Sequence, residues 1–160
     1  IAKEKRKIGS GAELFIEGSR QTIDEIYDDI AGLLSKSFGR RTRKIVAEDF
    51  EEHFKKKDEK IAARHGETIR DIVRLKEAFT KKKIVGISGE FEAGIRKTKE
   101  KAAILIHDLV KHLKNNNLFS SERERRAAEE RAKEYERDLS FIKRIARVPS
   151  SLGTKIRGLF

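Results

Sequence analysis

Cysteine, methionine and tryptophan are missing from these 160 residues, and proline occurs once, at Pro149. Without cysteine there is no disulfide, no thiol nucleophile and no thiolate metal site. A single proline leaves long stretches free to be helical. Alternating β-branched and aromatic runs, the mark of strands, are scarce as well; only residues 83–87, KIVGI, read as a short strand. No uncharged apolar run approaches the roughly 18 residues that a membrane-spanning helix requires, and the charged N-terminal stretch has no apolar signal core. These absences leave the location unknown, with the cell interior and the virion both compatible with the sequence.

Charge is what the chain has in excess. Charged residues make up 41% and hydrophobic ones 37%, a balance poor for a compact enzyme but ordinary for long helices that each bury one stripe. The length suits one sizeable core. The expected fold is all-α, an elongated helical bundle or a set of helical hairpins. A flexible basic arm is expected over residues 1–11, one helical domain over 12–147 and a basic amphipathic tail over 148–160. Within the domain, apolar spacing predicts helices at about 20–38, 47–64, 67–80, 89–114 and 121–147.

Residues 91–113 predict the central helix. Ile95, Ala102 and Leu109 recur every seventh residue, Ile106 and Leu113 interleave with them, and Lys99 is the one exception. Such a seam packs against a partner helix, which makes these five apolar residues the candidate self-association surface of a homo-oligomer or polymer. In the first helix Ile23, Ile26, Tyr27, Ile30, Leu33, Leu34 and Phe38 form the buried stripe, whereas Asp24, Glu25, Asp28 and Asp29 form an acidic, solvated opposite face. A hydroxyl at Ser19 or Thr22 is expected to cap it and Gly39 to end it. His65-Gly66 predicts an interruption between the second and third helices, giving an antiparallel hairpin or a kinked rod, because one glycine is tolerated inside a helix at a cost of about 1 kcal/mol. Asn115, Asn116 and Asn117 stop the fourth, and Ser120 or Ser121 starts the fifth, whose stretch 122–138 reads as an exposed helix laced with opposite-charge pairs. There is also an internal echo: Phe15, Gly18, Arg20 and Thr22 repeat as Phe91, Gly94, Arg96 and Thr98.

No spacing of His53, His65, His107 and His112 gives a helical metal motif, and Ser88 in GISG lacks the strand-to-helix setting of a nucleophile elbow. No catalytic residue, cofactor or metal is expected. The signal that remains is basic charge. The net charge is +11, of which residues 1–80 carry +2 and residues 81–160 carry +9; from 36 to 44 there are five cations and no acid, and no acid follows Asp138. Candidate phosphate contacts are therefore Lys3, Lys5, Arg6 and Lys7 in the arm, Arg40, Arg41, Arg43 and Lys44 at the first helix break, Lys81, Lys82 and Lys83 at the third, and Lys143, Arg144, Arg147, Lys155 and Arg157 near the C-terminus. Any one cluster alone could be a solvated helix face; several acid-free clusters together favour a polyanion. The expected function is that of a structural, self-assembling nucleic-acid-binding protein, such as a coat, internal virion or DNA-packaging subunit. It would contact the phosphates of duplex DNA without reading sequence. The alternative is an amphipathic-helix scaffold on an anionic membrane surface or on partner helices, with the apolar-basic stretch 141–160 inserting.

Overall fold

The computed structural model describes the backbone of residues 2–81 and 89–147, and the side chains of residues 15–81 and 89–138. Five α-helices account for nearly all of it: α1 (Ala2–Phe38), α2 (Ala47–Lys57), α3 (Glu59–Thr80), α4 (Gly89–Asn115) and α5 (Glu122–Arg147). There is no strand among the described residues. The fold is an all-α bundle. The KIVGI segment (Lys83 to Ile87), Ser88 and the tail 148–160 lie outside the described residues.

Cross-helix contacts fix the directions. Ile23 of α1 shares an apolar cluster with Ile95 of α4, and Ser37 of α1 meets His112 of α4, so α1 and α4 run parallel. α3 is antiparallel to both, since Lys76 reaches Asp24 at 2.6 Å and Arg64 reaches Asp108 at 3.2 Å. α5 is antiparallel as well, with Lys114 opposite Glu129 and Arg131 opposite Asp29. Parallel neighbours need a long return path. The chain supplies it by descending along α1 after Phe38, rising again in α2 and turning at Asp58 into α3.

The main core holds Ile30, Leu34, Ile45, Phe50, Phe54, Ile69, Ile72, Leu105, Ile106 and Leu109, each no more than 1% exposed. Ile23, Phe79 and Ile95 form a smaller cluster, which Ile16, Leu75 and Phe91 flank. The echoed motif has a local counterpart. Thr22 donates to the carbonyl of Gly18 at 2.9 Å and Thr98 donates to that of Gly94 at 2.8 Å, the same back-bond in each helix.

Several boundaries differ from expectation. α1 starts at Ala2, so residues 2–11 are helical and continuous with the helix expected from about residue 20. Alanine, lysine, glutamate and arginine all favour helix, and Gly9 and Gly11 cost only about 1 kcal/mol each against that preference. Ser19 is buried instead of capping. The break expected at His65-Gly66 falls at Asp58, whose backbone is extended, and α3 runs unbroken through His65 and Gly66. A Cβ at Gly66 would lie 2.8 Å from Oε1 of Glu51, the far end of a flexible α2 side chain that pairs with Arg70. α5 is not free on all sides. Ala132 is buried, and Ala128 and Tyr135 pack on the core.

The stops behave as read. Gly39 adopts φ +69°, and the amide of Arg40 donates back to the carbonyl of Ser35 at 3.3 Å, a left-handed cap. Asn117 has φ +55°, and the amide of Leu118 returns to Leu113 at 2.9 Å. The hydroxyl of Ser121 accepts from the amide of Glu124 at 3.2 Å at the start of α5. A paired substitution tests this logic. Gly32→Ala, in open space within α1, is expected to stabilise by roughly 0.5–1 kcal/mol, whereas Gly39→Ala should destabilise by about 1 kcal/mol through its positive φ. Urea midpoints that shift in the same direction for both would contradict it.

Candidate nucleic-acid interface

The connector after α1 is exposed yet fixed in place. Its amide at Thr42 donates to the hydroxyl of Ser35 at 2.8 Å, and that hydroxyl in turn lies 2.8 Å from the carbonyl of Ala31. The amide of Ile45 donates to the phenol of Tyr27 at 2.8 Å, with the Ile45 side chain in the core. Held at Thr42 and Ile45, the segment leaves Arg40, Arg41, Arg43 and Lys44 on the surface. Arg40 lies over the Phe38 ring at 5.4 Å and reaches Asp49 only at 3.9 Å, with its side chain 66% exposed. An exposed pair at that distance holds the guanidinium weakly.

Beside the connector, the last turn of α2 contributes Lys55, Lys56 and Lys57, all exposed. Part of this charge balances the helix C-terminus. Arg40, Lys56 and Lys57, together with Phe38, Asp49, Glu52 and His53, line one groove of about 270 Å³. The lysines and His53 were not among the residues expected at the site. The KKK run is visible in the sequence, but nothing local says that it faces residue 40.

Under the groove lies a polar cluster. Ser37 Oγ sits 2.9 Å from His53 Nε2 and 3.4 Å from His112 Nε2. On the other side of His112, Nδ1 faces Asp58 at 3.7 Å and the Asn116 amide nitrogen at 3.4 Å. Phe38 meets His53 edge-on at 4.6 Å between centroids, and Phe54 lies 4.9 Å from His53 and 5.2 Å from His112. Burial lowers the pKa of both imidazoles; Asp58 pulls His112 upward less strongly, and the charges of Lys57 and Arg40 push His53 down further. His65, bonded to Asp108 at 2.6 Å, is lowered too, because burial outweighs the carboxylate. In each of the three rings burial is the largest influence and disfavours the charged form.

Depressed histidines give a definite sign of pH dependence. The unfolded chain takes up protons below the ordinary value near 6.5 while the fold excludes them, so stability should be full above about pH 6.5 and fall as pH drops below it. For His65 and His112, which are nearly fully buried, the slope has a ceiling of ~1.4 kcal/mol per pH unit each. A urea midpoint unchanged between about pH 7.5 and about pH 5.5 would contradict this assignment.

The other expected contacts are scattered. Lys81 is exposed at the end of α3, at the opposite end of the bundle from the connector. Lys82, Lys83, Lys155 and Arg157 lie outside the described residues, and the side chains of Lys3, Lys5, Arg6, Lys7, Lys143, Arg144 and Arg147 lie outside the described side chains. The seam is used within the chain. Ile95, Ala102, Ile106, Leu109 and Leu113 are at most 2% exposed, on a helix that packs against α1, α3 and α5. As the chain is folded, they offer no surface to a second copy. Lys99 stands at the rim of a cavity of about 390 Å³ between α1, α4 and α5, with Glu25, Glu100, Arg131 and Tyr135 around it. The acidic face of α1 is also partly engaged there, since Asp29 accepts from Arg131 at 3.0 Å and from the Tyr135 hydroxyl at 2.5 Å.

No group of three or more metal-ligating side chains is placed together among the described residues, and no described helix is long and apolar enough to cross a membrane. No family model, curated protein or solved structure matches the chain.

Proposed function

We propose that the chain is a structural nucleic-acid-binding protein that grips duplex phosphates through the connector 40–44 and the adjoining end of α2, without reading bases. The observation that carries this reading is the set Arg40, Arg41, Arg43 and Lys44, fixed at the backbone yet exposed. A pinned segment loses little further freedom on contact, and each guanidinium offers several donors to phosphate oxygens. Counterion release then supplies the affinity. The groove holds Phe38 and His53 but no run of exposed aromatics, so backbone contact is favoured over stacking on single-stranded bases.

Assembly into a coat, virion or DNA-packaging array remains part of the proposal, but it would need faces other than the buried seam of α4. A salt titration against duplex DNA, duplex RNA and anionic vesicles tests the reading. Duplex affinity should fall steeply with salt. Vesicle binding without any duplex binding would replace this reading with the membrane one.

A further inference from the structure

His53 lines the same groove as Arg40, Lys56 and Lys57, and its ring is wired into the bundle end through Ser37, His112 and Asp58. We infer that His53 couples phosphate binding to proton uptake: when a phosphate of the duplex seats in the groove, the imidazole takes a proton from solvent and becomes a further cation against it. The inference rests on the phosphate-binding reading above and adds its regulation.

The hydrogen-bond chain can carry the change through the Ser37 hydroxyl, which touches both rings. In the neutral cluster the Ser37 hydroxyl donates to one imidazole nitrogen and accepts from the other. Once His53 holds a proton on Nε2, it donates to Ser37 Oγ, the Ser37 hydroxyl donates to His112 Nε2, and the His112 proton moves to Nδ1, which faces Asp58. One extra proton enters; the His112 Nδ1–H then faces the Asp58 carboxylate at 3.7 Å, an ion-pair distance, and the Asn116 amide keeps its bond to the His112 carbonyl at 2.8 Å. A second is disfavoured because the two rings repel when charged.

Every element around His53 sets the balance. The last turn of α1 offers the Ser37 hydroxyl and the Phe38 ring, the connector offers Arg40, α2 offers Asp49, Glu52, Lys56 and Lys57, and α4 offers His112. Without a ligand burial opposes a charged ring most, and after His112 the cations Lys57 and Arg40 add to it. A phosphate dianion or diester neutralises those cations and replaces their repulsion with attraction, so the groove favours protonated His53 only when occupied. By reciprocity, acid must then strengthen phosphate binding.

The test uses the full chain with a short duplex DNA, by fluorescence anisotropy over a salt series at about pH 8 and about pH 5.5, on either side of the ordinary histidine value. Wild type should bind on the order of tenfold more tightly at the lower pH, and the slope of log affinity against log salt should steepen by up to about 0.9 for the additional contact. His53→Gln, which keeps a hydrogen-bonding group beside Ser37, should lose both gains on going from the higher to the lower pH, whatever its affinity at the higher pH. Calorimetry at about pH 6.5 in two buffers of different ionisation enthalpy should find up to about one proton taken up by wild type and close to none by the variant. Circular dichroism at the lower pH confirms that both proteins are folded, and about pH 6 replaces it if either is not. Duplex binding whose pH gain and proton uptake persist in His53→Gln overturns the coupling alone. Absence of duplex binding at either pH overturns the phosphate-binding reading and the coupling with it.

Discussion

Replacing Arg40, Arg41, Arg43 and Lys44 together by glutamine is expected to cut duplex affinity at about 0.1 M salt by on the order of a thousandfold, and to reduce the salt slope by up to about 3.6. The size follows from four phosphate contacts that each release close to one counterion. Stability should barely change. The four side chains are exposed, and the connector is fixed by Ser35, Tyr27 and the buried Ile45 instead. The contrast separates this surface from a merely solvated one: a solvated face would lose charge with no loss of duplex affinity beyond the general effect of net charge. Gln at Lys81 provides that comparison, since it removes one exposed cation at the other end of the bundle. If loss at Lys81 matched the per-charge loss at the connector, binding would belong to the whole basic surface and not to this site.

The parts of the fold that were legible in the sequence are those with local causes. Gly39, Asn117 and Ser121 act through their own backbone conformation or their own hydroxyl, so each marks a helix end wherever it stands. The unread parts depend on partners far away in the chain. Gly66 signals a break to a local reading, but it sits inside α3 where the Glu51 side chain of α2 passes close by. The seven-residue seam on α4 states that a helix is covered without stating by which chain, and here α1, α3 and α5 cover it. Ser37, His53 and His112 are separated in sequence by 16 and 75 positions from the serine, so no motif spacing could announce them. Arg40 to Lys44 was legible because the charge run and the helix stop adjoin.

The core beneath that cluster gives the largest expected change in stability. Phe54 is fully buried and lies against Phe50 at 4.9 Å, His53 at 4.9 Å and His112 at 5.2 Å. Phe54→Ala should cost about 3–5 kcal/mol, through lost burial and the cavity left behind. A second effect separates this residue from other core positions. The Phe54 ring is part of what keeps water from His112, and burial is the leading cause of the lowered pKa there. With the ring removed, the folded-state value should move back toward the ordinary one, and the loss of stability between about pH 7.5 and about pH 5.5 should become shallower than in wild type. Phe50→Ala is the control, since Phe50 is equally buried but its described ring contact is with Phe54. It should lose a similar amount of stability and keep the wild-type acid slope. Urea unfolding of the three proteins at both pH values decides the matter, with Phe54→Leu taking the place of alanine if that variant does not fold. An acid slope unchanged in the Phe54 variant would mean that other walls of the pocket keep His112 neutral, and that the ring contributes packing alone.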